Sequence, residues 1–217
     1  MNFLFKLTTR SRPHKASEVI KNIMSFCETD NYHILVTVDS DDNKVGDIYR
    51  PMDDRADRVT FISGTSKNKV DAINRDMERA KNWDVLINVS DDQLFTVRGF
   101  DQLIIADIYE HGKDVFLHYP DGNAKDRLST MSIMGNEYYN RFGYIYHPDY
   151  VSLWCDNEAM DVAKILGCYH FNPTQIFEHY HPAYGKGKTD AQYKKTESYY
   201  YTDKATYLKR KAINFNL

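Results

Sequence analysis

The sequence predicts an α/β fold in one domain, with a parallel, doubly wound sheet flanked by helices. Short apolar runs typical of strands alternate with segments whose apolar residues recur at helical spacing. This strand–helix–strand pattern repeats at intervals of about 30 residues, the size of a βαβ unit. The run 85–89 ends at two adjacent carboxylates, Asp91 and Asp92. A buried parallel strand that ends in charge indicates the ligand-binding edge of such a sheet.

The predicted elements follow from these patterns in chain order. Strands are expected at 3–8, 33–38, 59–62 and 85–89 in the first half, and at 115–119, 128–134, 144–147 and 175–179 in the second. Pro13 suits the first turn of a helix, and apolar residues 19, 20, 23, 24 and 27 share one face of it. Further helices are expected at 69–82, 100–110 and 157–166.

Composition bounds the class of protein. At 217 residues and 42% hydrophobic, the chain can bury a core without disulfides. Three cysteines with no CxxC spacing favour a reducing, cytoplasmic location. A net charge of −3 argues against a protein that mainly coats nucleic acid. No apolar run approaches the ~20 residues needed to span a membrane. We expect a domain over 1–190, with halves 1–98 and 99–190, and a Lys/Tyr-rich tail over 191–217.

Two phosphate-binding motifs are absent. The sequence contains neither GxGxxG after the first strand nor GxxxxGK[ST], so a dinucleotide-binding fold and a P-loop phosphotransferase both fit poorly. Asp91 and Asp92 instead suggest a hard divalent cation shared with substrate phosphates. The alternative for this pair is an ordinary turn or helix cap.

Six short segments in this order resemble the family-2-like glycosyltransferases with the GT-A fold. They are Thr8-Thr9-Arg10, Asp39, residues 66–74, Ser90-Asp91-Asp92, residues 154–158 and residues 178–182. The resemblance covers roughly residues 3 to 190. It implies a single Rossmann-like domain with a mixed, mainly parallel sheet flanked by helices. In that domain residues 1–98 would form the nucleotide-sugar half and residues 99–190 the acceptor half.

The resemblance implies a nucleotide site in the first half, lined by Thr8, Arg10, Asp39, Lys69 and Asp91. A carboxylate at the Asp39 position accepts hydrogen bonds from a nucleobase or ribose. Arginine and lysine suit the phosphates. The alternative to a nucleotide-binding role is that Asp39 is one of several solvated acids in a loop and that Lys69 is an ordinary lysine on a helix surface.

The resemblance also implies a Mn²⁺ or Mg²⁺ ion bound by Asp92. Ser90 stands where the family has its first metal-site acid, so Asp91 takes the middle position of the motif. His179 and His181 alternate and share one side of an extended segment. His181-Pro182 and the loop over 185–188 that follows match the family pattern. This match favours His181 as the second metal ligand and the loop as a lid over the site.

The catalytic base is expected after Trp154. Asp156 matches the family's general base, which takes the proton of the acceptor hydroxyl, and Glu158 is the second candidate. The alternative for Asp156 is a helix N-cap, with Glu158 in the first turn. Trp154 either stacks on a sugar or packs in the core.

The function expected from the resemblance is metal-dependent, inverting transfer of a sugar from a nucleotide-sugar donor, with a UDP-sugar favoured. The acceptor is open between a glycan, a small molecule and a modified nucleic acid. A nucleotidyltransferase of the same fold is a second hypothesis, although residues 8–12 lack the glycines it would need. A non-catalytic carbohydrate- or nucleic-acid-binding module is a third, suggested by the tyrosines and by the basic run 209–211.

Overall fold

A computed structural model describes residues 1–52 and 54–217. Its strands are β1 (Phe3–Thr9), β2 (Tyr32–Asp39), β3 (Val59–Gly64), β4 (Val85–Ser90), β5 (Gln93–Phe95), β6 (Phe116–His118), β7 (Ser132–Gly135), β8 (Tyr169–Phe171) and β9 (Phe177–His179). Its α-helices are α1 (Pro13–Phe26), α2 (Lys69–Asn74), α3 (Phe100–His111), α4 (Asn136–Asn140), α5 (Cys155–Ile165), α6 (Ala191–Glu197) and α7 (Tyr200–Ala212).

Seven strands form one sheet in the order β3-β2-β1-β4-β7-β6-β8. Strands β1, β2, β3 and β4 are parallel to one another. Strand β7 runs antiparallel to both of its neighbours, and β8 is parallel to β6. The predicted mixed, mainly parallel sheet is therefore confirmed. Strands β5 and β9 pair separately as an antiparallel ribbon.

Strands β1, β2 and β4 are buried on both faces. Phe5 and its register partners Ile34 and Ile87 belong to the core formed with α1 and α3. The neighbouring residues Leu4 and Leu86 belong to the core formed with α2, α5 and α7. Because alternate side chains point to opposite faces, continuous apolar strands of this kind need helices on both sides.

The predicted helix over 69–82 is wrong beyond Asn74. Arg75 has an extended backbone, and Asp76 has φ 71°. The Arg75 guanidinium donates to the Val38 carbonyl at 2.6 Å, and Thr37 donates to the Asp76 carboxylate at 2.9 Å. These contacts with β2 hold both polar side chains against the sheet and end the helix.

The predicted strand over 144–147 is also wrong. The Asn74 side chain accepts from the Ile145 and Tyr146 amides and donates to the Tyr146 carbonyl. A side-chain amide thus takes the place of a neighbouring strand. The predicted strand over 128–134 begins only at Ser132.

The Lys/Tyr-rich segment 191–217 contains the helices α6 and α7, and α7 packs on α5. Across the described ranges, 1–52 and 54–217, no helix is long and apolar enough to cross a membrane.

Candidate active site

The carboxyl ends of β1, β2 and β4 meet at one edge of the sheet, where Thr8 is in register with Thr37 and Ser90. A cavity of about 580 Å³ lies at this edge. Eight of the nine predicted site residues line it: Thr8, Arg10, Asp39, Lys69, Asp91, Asp92, Asp156 and His181. The structure thus brings together residues from both halves of the chain.

Asp39 is held at the end of β2 by an ion pair. Arg10 Nη1 lies 2.6 Å from Asp39 Oδ2, and the same guanidinium binds both oxygens of Asp41 at 2.6 and 2.8 Å. The second oxygen of Asp39, Oδ1, is buried and has no hydrogen-bond partner within the described residues. A buried acceptor without a partner is costly unless a ligand satisfies it.

Asp91 is buried, and both of its carboxylate oxygens accept hydrogen bonds from neighbouring side chains. Thr9 Oγ1 donates to Asp91 Oδ2 at 2.8 Å, and Arg12 Nη1 donates to Asp91 Oδ1 at 3.0 Å. Arg12 also binds both oxygens of Asp190 at 2.7 and 2.8 Å. Burial raises the pKa of the Asp91 carboxyl, and the charge of Arg12 opposes this shift. Thr8, by contrast, only donates a long bond of 3.3 Å to the Ala72 carbonyl.

Asp92 lies between a histidine and a tyrosine. His179 Nε2 is 3.3 Å from Asp92 Oδ1, and the Tyr193 hydroxyl donates to Asp92 Oδ2 at 2.5 Å. Burial alone would raise the pKa of Asp92, but its contacts with His179 and Tyr193 hold that pKa well below the usual range. Asp92 is therefore ionised at neutral pH.

His179 bridges Asp92 and a second buried carboxylate, Asp121, whose Oδ2 is 3.6 Å from His179 Nδ1. Burial lowers the pKa of His179, yet the two carboxylates raise it to about 9. The antiparallel pairing of β5 with β9, in which Gln93 is opposite His179, brings the histidine next to Asp92.

His181 lies beside this pair. Its ring is 5.3 Å from that of His179 and 5.0 Å from that of Tyr193. Its Nδ1 accepts from the Ala183 amide at 3.2 Å, which leaves Nε2 available to a ligand. Burial and the neighbouring His179 lower the pKa of His181, so its ring is neutral at pH 7.

The residues around Asp92 can contribute to a metal site but do not complete one. In the part of the chain that the structure describes, no three His, Cys, Asp or Glu residues are grouped as a metal site. Asp92 nevertheless offers carboxylate oxygens, and His181 offers a free imidazole nitrogen. Such a donor set fits a divalent ion that completes its coordination with phosphate oxygens and water.

Asp156 lies in the first turn of α5, one residue after the helix begins at Cys155. The Asn157 amide donates to Asp156 Oδ1 at 2.9 Å. Burial raises the pKa of Asp156, while the charge of Lys69 lowers it. Lys69, the first residue of α2, also lowers the pKa of Asp92. This cation therefore acts on both carboxylates across the cavity.

Glu158 does not reach the cavity. Its buried carboxylate accepts three hydrogen bonds from Arg210, at 2.8 to 3.1 Å, and one from the Tyr150 hydroxyl at 2.7 Å. Side chains two residues apart on a helix are separated by about 200° around its axis, so Asp156 and Glu158 point to different sides of α5. Trp154 likewise packs away from the cavity, on Tyr200 and Tyr207.

Comparison with known proteins gives no sequence match, since no family model and no curated protein matches the chain. Solved structures do match. One is the mannosyltransferase PcManGT of Pyrobaculum calidifontis in complex with GDP-Man and Mn²⁺, with 15% identity and a TM-score of 0.62 over 80% of this chain and 55% of that one. Another is S. aureus TarS in complex with UDP, with 12% identity and a TM-score of 0.62 over 82% of this chain and 60% of that one.

The fold is that of the GT-A glycosyltransferases. The Drosophila β-1,4-galactosyltransferase 7, in complex with manganese, UDP-Gal and xylobiose, matches over 90% of this chain and 79% of its own at 16% identity and a TM-score of 0.57. The chain spans little more than half the length of the mannosyltransferase and of TarS. At these identities the likeness concerns the fold, which confirms the architecture that the sequence motifs implied.

Several residues at this site were not among the predicted ones. Tyr193 and Asp190 come from the segment that follows the predicted lid, and only the packing of α6 brings them to Asp92 and Arg12. The loop over 185–188 does not reach the cavity in this structure, because Lys186 binds Glu178 at 2.5 Å. Asp121 lies far from His179 in the sequence, so spacing alone could not have linked the two residues.

Proposed function

We propose that the protein transfers a sugar from a nucleotide-sugar donor to an acceptor hydroxyl, with inversion at the anomeric carbon. The observation that carries this proposal is the placement of Asp92 and Asp156 on one cavity, with Lys69 acting on both. Asp92 is thereby available on the side of the departing diphosphate, and Asp156 on the side of the acceptor hydroxyl.

Asp39 supports a nucleotide at the β2 end of the cavity. Its buried, unpaired Oδ1 can accept a hydrogen bond from a base N–H or a ribose hydroxyl. Uracil offers such an N–H, which agrees with a UDP-sugar as the donor. Arg10 holds the other oxygen and so fixes the orientation of the carboxylate.

Asp92 and His181 would hold a divalent ion, Mn²⁺ or Mg²⁺, with His179 as the buried residue that orients Asp92. When bound, such an ion neutralises charge on the departing diphosphate. Lys69 adds a fixed positive charge from the protein on the same side of the cavity. Tyr193 donates to Asp92 Oδ2, so its hydroxyl would have to move or share that oxygen if an ion bound there.

Asp156 would act as the base. The acceptor oxygen bonds to the anomeric carbon as the bond from that carbon to the diphosphate oxygen breaks. The hydroxyl proton passes to Asp156, and the electron pair leaves with the diphosphate. A raised pKa makes Asp156 a stronger base, and its bond from the Asn157 amide fixes its position.

The first test is thermal unfolding with UDP, GDP, ADP and their sugar conjugates, each with and without Mn²⁺. A nucleotide present at about 100 times its Kd should add about 2.7 kcal/mol to the free energy of unfolding. We expect a UDP-sugar to stabilise the protein in the presence of metal and Asp92→Asn to lose the metal-dependent part. Stabilisation by no nucleotide would overturn the proposal.

Turnover of the stabilising donor separates a transferase from a binding module. Asp156→Asn should retain donor binding and lose about 10²- to 10⁴-fold in turnover. Asp126→Asn removes an exposed carboxylate outside the cavity and should leave both unchanged. Equal turnover in the wild type and Asp156→Asn would contradict the assignment of the base.

A further inference from the structure

The chain is divided electrostatically. Residues 186–217 contain eight lysine and arginine residues against three acids, whereas residues 1–185 contain twenty against twenty-eight. Two of the three acids near the C-terminus are already paired: Asp190 binds Arg12, and Asp203 accepts from the backbone amides of residues 151–153. Three of the eight cations are also paired, with acids outside the segment: Lys186 with Glu178, Arg210 with Glu158 and Lys211 with Asp161. The other five lysines still outnumber Glu197, so the surface formed by this segment is basic on an otherwise acidic protein.

The same segment exposes large apolar side chains. Ten large hydrophobic residues are exposed among those the structure describes, and five of them lie within residues 200–217: Tyr200, Tyr201, Leu208, Ile213 and Leu217. Single exposed apolar residues need no explanation, but their concentration in one short segment does.

Helix α7 arranges these residues as an amphipathic helix. Its inner face, Asp203, Tyr207 and Arg210, is buried. Its outer face carries Tyr201, Ala205, Leu208 and Ala212, all exposed, at positions i, i+4, i+7 and i+11. We call this stripe, with Ile213 and the exposed Lys209, the C-terminal face. Tyr201 is 82% exposed and Leu208 is 54% exposed.

We propose that the C-terminal face binds the surface of an anionic lipid membrane. An apolar stripe with lysines beside it inserts shallowly among headgroups, while the lysines attract acidic lipids. The charge of residues 186–217 is complementary to that surface, and the acidic remainder of the chain is repelled by it. Tyr199 lines the main cavity and α7 begins one residue later, so the docked face adjoins the cavity.

The aliphatic members of the face favour lipid over nucleic acid. Single-stranded nucleic acid binds through stacking on aromatic rings in a positively charged groove. The C-terminal face is a convex helix surface, and Leu208, Ile213 and the two alanines offer no ring on which a base could stack. Hydrocarbon accommodates such side chains directly.

Co-sedimentation of the full chain with vesicles tests the proposal. We expect binding to vesicles of phosphatidylcholine mixed with phosphatidylglycerol, much weaker binding to phosphatidylcholine alone, and loss of binding as salt is raised. The double variant Tyr201→Ser/Leu208→Ser should bind about tenfold more weakly or worse. Lys209→Gln should bind about fivefold more weakly, as expected for one lysine at an anionic surface.

Matched controls lie on other elements. Met52→Ser/Tyr109→Ser removes two exposed apolar side chains, 94% and 78% exposed, and Lys81→Gln removes an exposed lysine. All of these should bind vesicles like the wild type, and thermal unfolding confirms that each variant folds.

Three results would overturn the proposal. One is the absence of binding to acidic vesicles, and another is equal weakening in the controls. The third is a concentration-dependent dimer that the double variant abolishes, since the face would then be covered by a second copy of the chain. None of these results bears on sugar transfer, which is measured with soluble donor.

Discussion

Glu158 and Arg210 form a buried ion pair whose disruption should destabilise the fold without removing catalysis. Their side chains are 5% and 8% exposed, and they share three hydrogen bonds. Glu158→Gln removes one charge and leaves the Arg210 guanidinium buried. Breaking one partner of a buried pair costs about 3–5 kcal/mol.

The lower end of that range applies here, because Arg210 retains two acceptors. Its Nη1 lies 3.5 Å from the Asp149 carboxylate, and its Nη2 donates to the Phe215 carbonyl at 3.3 Å. We therefore expect Glu158→Gln to lose about 3 kcal/mol of unfolding free energy. For a chain of this size the melting temperature should fall by about 6–12 °C.

Urea unfolding and thermal melting measure the stability, and turnover is compared at a temperature where both proteins are folded. Asp149→Asn is the matched control, since this 60% exposed partner should contribute less than about 1 kcal/mol. Replacing the pair by Glu158→Leu/Arg210→Met should recover much of the loss. Unchanged stability with lost turnover in Glu158→Gln would refute this reasoning and return Glu158 to the catalytic machinery.

Three further predictions follow from the structure. A base must be ionised to accept a proton, so transfer should fall as pH drops through the pKa of Asp156, which burial raises above its usual value. A pH profile of kcat/KM without this decrease at low pH would contradict the base role. Burial lowers the pKa of Lys6 in the folded protein to about 8. Between that pH and about 10, the Lys6 amine is therefore protonated in the unfolded chain but largely neutral in the folded protein. Wild-type stability should therefore rise relative to Lys6→Met over this window in urea unfolding, and a constant difference would contradict the shift. Gly135→Ala should cost about 1–3 kcal/mol, since its Cβ would lie 2.0 Å from the Lys113 carbonyl oxygen, whereas Gly46→Ala, which meets nothing within 4 Å, should be neutral by the same assay.

Local patterns predicted the first half of the sheet well. Strands β1 to β4 each begin and end within two residues of their predicted bounds. Strands β1, β2 and β4 are largely apolar and buried, so their own residues give a clear local signal. Asp39 and Asp91 follow strand ends, so the topology alone places them at one edge.

The second half was predicted less well because distant side chains define its backbone. Asn74 replaces a strand partner for Tyr146, and the three-residue strand β8, which was not predicted, is too short to give a periodic signal. The position of Glu158 could have been anticipated, however. Once Asp156 is assigned to the cavity, the helical rotation of about 200° over two residues directs Glu158 elsewhere.

The sequence by itself determined the alternation of strands and helices and the carboxylates at the strand ends, because these depend on neighbours within a few residues. Only the tertiary structure decided which groups meet those carboxylates. His179 reaches Asp92 through the β5–β9 pairing, and Tyr193 reaches it from 101 residues away. Such contacts depend on how the packed elements close over the sheet edge, and no local pattern encodes that closure.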